Sequence, residues 1–229
     1  MDNYILIENL LDKNKLEEIY KFIDNDECEW VCGTESILPL LNDTPLLRKN
    51  NNEALLPKYF INHLMVDILS SLGEHDEFSN FTLPSSSTDP IISRTEEGGY
   101  YRPHHDSAKS GHYSTTIFLN EPDEYEGGEL CLLIDGEVKK YKLSAGSSIT
   151  YKTGIDHMVA EVTKGHRDVV VFWTKTICKD YYTSEILREL MKVLPLIEDK
   201  KPTTLEESSE CPTFIIRKLI NTIKRENGI

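Results

Sequence analysis

Little in this chain of 229 residues would mark it as secreted, membrane-spanning or nucleic-acid-binding. Basic residues are the first shortage: 25 Lys+Arg stand against 39 Asp+Glu, a formal net charge of −14. A surface of that sign repels a phosphate backbone, so nucleic acid is not the expected partner. Long apolar runs are lacking as well. No stretch approaches the roughly 20 residues that a membrane helix needs. The opening Met-Asp-Asn-Tyr-Ile-Leu-Ile-Glu-Asn has neither the basic start nor the apolar middle of a signal peptide. The expectation is a soluble, cytoplasmic protein with no membrane partner. Cysteine is sparse and odd in number, with Cys28, Cys32, Cys131, Cys178 and Cys211 scattered along the chain. That pattern fits reduced thiols rather than a disulfide framework. Nor does a second pair accompany Cys28 and Cys32 to complete a zinc site. Internal repeats and extended low-complexity tracts are absent too.

What is present reads as one domain with helical additions. Tyr4 to Ile7 predicts a short strand. Leu16, Ile19, Tyr20 and Ile23 then fall at helical spacing behind Asp12, a candidate N-cap. Gly33 to Glu53, with Pro39, Pro45 and the Asn50-Asn51-Asn52 run, reads as a long loop. A second helix is expected from Pro57 through Phe60, Ile61, Leu64 and Ile68 to a stop at Gly73, packed on the outside of a sheet. Glu74 to Pro90 is polar and predicts a mobile connection. About eight strands follow at hairpin spacing with no helix between them, and Asp135-Gly136 is a strong hairpin signal. The expected fold is mainly β with flanking helices, around a double-stranded β-helix (jelly-roll, cupin-like) core. After Asp180 the pattern returns to helix, with Ile186, Leu187, Leu190, Met191 and Leu194 on one face. A polar linker from Glu198 to Glu210 leads to a last helix behind Pro212.

The chemistry concentrates in Tyr101-Arg-Pro-His-His-Asp106. On a strand, residues i and i+2 share a face. His104 and Asp106 can therefore reach one metal ion, while His105 points away. A third ligand is offered by His157, 51 residues after Asp106. Alone, a His-x-Asp triplet is a common accident, and adjacent histidines are often surface residues. In order with His157 and Arg167, across successive strands, the three compose the two-histidine, one-carboxylate facial triad of non-haem Fe(II) oxygenases. Arg167 shares a face with Val169, Val171 and Trp173 by alternation. A guanidinium directed along so apolar a wall needs an anion, either a protein carboxylate or a bound one.

Tyr101-x-x-His104-x-Asp106, Glu126-Gly127-Gly128-Glu129-Leu130, and His157 with Arg167 downstream resemble the Fe(II)/2-oxoglutarate oxygenases of the prolyl 4-hydroxylase superfamily. The PKHD-type hydroxylases are the nearest kind: Phe118-Leu119-Asn120, Pro122 to Gly128 and Phe172-Trp173 also find counterparts there. The similarity runs from about Ser93 to Asp180. It implies His104, Asp106 and His157 as iron ligands and Arg167 as the grip on the distal carboxylate of 2-oxoglutarate. The implied cofactors are Fe(II), 2-oxoglutarate as co-substrate and O2, with ascorbate as a further candidate. A carboxylate at Asp106 argues for hydroxylation, because related halogenases have a small residue there. Some prolyl hydroxylases add a tyrosine on the strand after the first ligands. The comparable residue here is Phe118, so Tyr101 and Tyr151 become the candidates for that contact.

The implied activity is hydroxylation of an unactivated C–H bond, on a prolyl or other residue of a protein or peptide, with release of succinate and CO2. A small-molecule substrate, such as an amino acid or a siderophore-like compound, is the alternative, as is a non-catalytic cupin-like metal-binding protein. Residues 1–180 are expected to form the oxygenase domain, with helices in 1–90 and the jelly-roll core at about 91–178. Residues 181–229 make a helical extension packed on it. Oligomeric state is left open.

Overall fold

A computed structural model describes residues 3–36, 49–107, 109–197 and 204–228. Strand β1 (Tyr4–Ile7) leads into helix α1 (Lys13–Ile23), whose N-cap Asp12 accepts a hydrogen bond from the Lys15 N–H at 2.9 Å. Short strands β2 (Trp30–Cys32), β3 (Lys49–Asn50) and β4 (Asn52–Ala54) come before α2 (Lys58–Gly73), α3 (Asp76–Thr82) and β5 (Pro84–Ser87). The central run comprises β6 (Ile91–Glu96), β7 (Tyr100–His104), β8 (Tyr113–Phe118), β9 (Glu126–Gly127), β10 (Leu130–Ile134) and β11 (Glu137–Tyr141). It continues through β12 (Ser148–Lys152), β13 (His157–Val159), β14 (Val162–Lys164) and β15 (His166–Thr176). Helices α4 (Tyr181–Val193), α5 (Leu205–Glu210) and α6 (Pro212–Glu226) complete the described chain.

A major sheet runs β1-β12-β8-β15-β6-β4-β2, with β5 also on β15, and a minor sheet runs β11-β10-β13-β7-β3. Every pairing is antiparallel, as a jelly roll requires. Asp135 and Gly136 both have positive φ (53° and 81°), the type I′ geometry whose twist suits the β10–β11 hairpin.

Alternation along β15 divides the molecule into layers. Val170 and Phe172 face the helices and join Ile19, Ile23, Leu64, Ile68 and Leu72 in one core. Val169 and Val171 face the other way and join Phe118, Leu130, Leu132, Ile149 and Tyr151 in a second. The helical core is large enough that truncating Ile68, which is fully buried, should cost about 2–5 kcal/mol. Denaturant unfolding of Ile68→Ala measures this. A third cluster, Leu83, Cys178, Leu187 and Ile220, seats α4 and α6 on the end of the major sheet.

Five expectations need correction. Asn50 and Asn52 lie on strands rather than in a loop: β3 pairs with β7 and β4 with β6, and pairing across sheets is invisible to local composition. Residues 37–48 of that expected loop lie outside the described residues. The stretch from Glu74 to Pro90 is not a loose connection. Phe78 and Phe81 are buried and anchor α3, and Ser-rich β5 pairs through its backbone with β15. Pro57 is the N-cap of α2 rather than its first residue, and the expected linker before Pro212 contains α5, capped by Thr204. The sheets are also not confined to 91–178, because β1, β2 and β4 extend the major sheet and β3 the minor one. Among the described residues no helix is long and apolar enough to cross a membrane.

Candidate metal centre

His104 ends β7 and His157 begins β13, and the two are direct cross-strand partners in the minor sheet. Their rings lie 4.1 Å apart. Tyr101 pairs with Val159 on the same ladder, so three steps on β7 match two on β13. That extra residue is a bulge, and it turns Tyr101 onto the side of His104, where the rings stack at 3.6 Å and 21°. Asp106 sits just beyond the end of β7 and folds back beneath both imidazoles. His104 Nε2 lies 3.7 Å from its Oδ1, and His157 Nε2 lies 3.8 Å from its Oδ2. One ligand atom from each of the three falls within 4.8 Å of the others.

The imidazoles are set for metal binding by their far nitrogens. His104 Nδ1 is 2.8 Å from the Arg102 carbonyl and His157 Nδ1 is 2.9 Å from the Ile155 carbonyl. A carbonyl only accepts, so each Nδ1 carries the proton and each Nε2 offers its lone pair inward. Two neutral nitrogens and one carboxylate match the donor set of a non-haem Fe(II) site. His105 points out, with Nδ1 3.3 Å from the exposed Asp156 carboxylate. A second cluster, Glu18, His63 and Asp67, lies on the exposed faces of α1 and α2, where side chains ion-pair in solvent.

The major sheet supplies the opposite wall. Tyr151, Ser114 and Trp173 stand in one register row across β12, β8 and β15. Trp173 Nε1 donates to Asp106 Oδ2 at 2.8 Å, and Ser114 Oγ donates to the same oxygen at 2.9 Å. Tyr151 sets its ring edge against His157 at 5.2 Å. Burial, and after it the nearby Asp106 charge, hold its hydroxyl well above the ordinary tyrosine range, so it stays protonated.

Arg167, only 3% exposed, lies on the same interior face. Burial pulls its pKa down, opposed chiefly by Tyr125 and Tyr151. Its guanidinium lies 5.5 Å over the Phe118 ring, and its Nε has no hydrogen-bond partner among the described residues. The neighbouring Asp168 faces the helical side, where Arg94 grips both of its oxygens at 2.9 and 2.8 Å. No protein carboxylate among the described residues is therefore left for Arg167, and the position suits an incoming anion.

The structure thus brings His104, Asp106 and His157 together and sets Tyr101 and Tyr151 against them. Arg167 lies over Phe118, which packs in one core with Tyr151. The sequence did not single out Tyr125, Ser114 or Thr153 for any role, and placed Trp173 only as a wall residue. Tyr125 had a signal in its motif. Gly128, at φ +68°, follows it, and a Cβ there would meet Tyr125 Cε2 at 2.9 Å and Arg167 Cδ at 3.3 Å. Gly128 keeps that space clear for the arginine. Gly128→Ala should therefore destabilise the fold by about 1–3 kcal/mol and raise the requirement for an Arg167-bound anion on the order of tenfold. Thermal unfolding and co-substrate titration read the two effects separately.

Comparison with known proteins identifies the family. The family model described as the 2OG-Fe(II) oxygenase superfamily matches residues 90–175. A PKHD-type hydroxylase of Gluconacetobacter diazotrophicus is 31% identical over 184 residues, covering 76% of this chain and 79% of the relative. One of Acaryochloris marina is 36% identical over 148 residues, covering 63% and 68%. Among solved structures, a prolyl hydroxylase from Trichoplax adhaerens, in complex with a hypoxia inducible factor oxygen degradation domain peptide fragment, superposes with a TM-score of 0.61. It is 13% identical and covers 76% of this chain and 84% of that one, which speaks for a shared fold. The chain belongs to the 2OG-Fe(II) oxygenase superfamily, among the PKHD-type hydroxylases, and is a dioxygenase.

Proposed function

We propose that His104, Asp106 and His157 hold Fe(II), that Arg167 binds the distal carboxylate of 2-oxoglutarate, and that the enzyme hydroxylates a residue of a protein or peptide, with proline the leading candidate. One observation carries the reading. Two inward Nε2 lone pairs and a carboxylate converge on the floor of an interior whose buried arginine lacks a protein anion. Bound Fe(II) would supply oxygen activation, coupling conversion of 2-oxoglutarate and O2 to succinate and CO2 with insertion of one oxygen atom into a substrate C–H bond.

The chain's own groups bind, orient and exclude water. Arg167 offers a planar fork to a carboxylate in a dry setting, where a charge-assisted pair is strongest. Fe(II) with Asp106 carries +1, and 2-oxoglutarate brings −2. Arg167 then restores neutrality. Tyr151, protonated and edge-on to His157, would donate to the co-substrate. Tyr125 takes the position beside the guanidinium that Phe118, lacking a hydroxyl, cannot fill with a hydrogen bond. Val169, Val171 and Ile149 make the apolar wall that keeps water from the path between the two ends. Tyr101, stacked on His104, stiffens the ring on the outer side.

We also propose that residues 1–180 are one oxygenase unit and that 181–229 brace it through α4 and α6. The peptide reading is supported by the Trichoplax relative, which was captured with a peptide. The deciding experiment is anaerobic titration of the apo-protein with Fe(II) and 2-oxoglutarate, followed by aerobic turnover on a proline-containing peptide library. A visible charge-transfer band that needs both components and is missing in His157→Ala is expected, together with peptides heavier by one oxygen. No band in folded protein defeats the site assignment. A band with oxidised small metabolites but no oxidised peptide defeats the substrate assignment alone.

A further inference from the structure

We infer that Ser114 and Trp173 are positioning residues that withhold one oxygen of Asp106 from the metal, so that the carboxylate binds through a single atom. The inference rests on the proposed metal site. Both donors converge on Oδ2, the Trp173 indole N–H at 2.8 Å and the Ser114 hydroxyl at 2.9 Å. A carboxylate oxygen has two in-plane lone pairs, and these two bonds use both. Ser114 Oγ is also 3.2 Å from Thr153 Oγ1. A hydroxyl has one proton, and the Asp106 carboxylate is a stronger acceptor for it than the Thr153 hydroxyl. Ser114 and Thr153 are fully buried.

The withheld oxygen is not out of range. Oδ1 lies 3.7 Å from His104 Nε2 and Oδ2 lies 3.8 Å from His157 Nε2, so the carboxylate stands almost evenly between the two imidazoles. Distance alone would permit both oxygens to bind; the donors decide between them. The consequence is a coordination count. Three protein atoms on a six-coordinate ion leave about three positions, two for a chelating keto acid and one more. A two-oxygen carboxylate would consume the last. Ser114 and Trp173, from neighbouring strands of the opposite sheet, thereby keep one position open without touching the ion.

Mn(II), bound in place of Fe(II), tests this through water-proton relaxation, which counts waters on the ion without turnover. Wild type should show about three inner-sphere waters, falling to about one with 2-oxoglutarate. Ser114→Ala combined with Trp173→Phe should lose about one third of the inner-sphere relaxivity, and nearly all of it once 2-oxoglutarate is added. Apo-protein unfolding checks that the variant folds. If the pair does not fold, Trp173→Phe alone keeps an aromatic ring in place and should show an intermediate loss. Relaxivity equal to wild type in a folded variant overturns the inference while leaving the metal site intact. Wild type that fails to bind Mn(II), or His157→Ala that binds it equally well, overturns the site and the inference with it.

Discussion

Asp106→Asn should abolish metal-dependent turnover while leaving the apo-protein folded. The exchange is isosteric, and the reason it fails is geometric. Ser114 O–H and Trp173 N–H both require an acceptor, and the amide of asparagine has only one. Its oxygen must take the place of Oδ2, which turns the NH2 group toward the two imidazoles. An amide nitrogen offers no lone pair to a cation. Metal affinity should fall on the order of 10³-fold, equivalent to about 4 kcal/mol, with melting of the apo-protein shifted by only a few degrees. Equilibrium dialysis with Fe(II) or Mn(II) and a thermal scan are sufficient. Wild-type affinity in this variant would remove Asp106 from the site.

Arg167→Met should move stability and function in opposite directions. A buried guanidinium without an ionic partner is a cost to the folded state, and an apolar chain of similar length removes it. The apo-protein should gain about 1–3 kcal/mol, or roughly 2–10 °C in melting temperature for a chain of this size. Binding of 2-oxoglutarate loses a charge-assisted fork worth about 3 kcal/mol, so its requirement should rise on the order of 10²-fold. A variant that melts lower yet keeps the wild-type co-substrate requirement would mark Arg167 as structural.

Legibility from sequence followed the range of the interactions. Helix α1 could be read because its cap and its apolar face lie within one short segment, and the Asp135-Gly136 hairpin for the same reason. Alternation along β15 correctly sent Arg167 inward beside Val169, Val171 and Trp173. Helix α3 escaped because Phe78 and Phe81 are dispersed among polar residues, and β3 and β4 escaped because β7 and β6, on which they pair, lie far along the chain. At the site, the residue types picked out the three side chains that converge, but the bulge that stacks Tyr101 on His104 is a property of the β7–β13 register. Ser114 and Trp173 meet Asp106 for an equally non-local reason: they share a row of one sheet and face a ligand carried by the other.

The strand order has a kinetic meaning. Tyr4 pairs with Tyr151, and Arg94 with Asp168, so the major sheet cannot close until distant parts of the chain have met. Topologies dominated by such contacts fold in milliseconds to seconds rather than microseconds. The histidine pair belongs to the minor sheet, but the donors that orient Asp106 arrive with β8 and β15 of the major one. A chain stalled with one sheet formed would present two imidazoles and a carboxylate free to swing. If His104, Asp106 and His157 hold iron as proposed, selective loading would follow the docking of the two sheets rather than guide it.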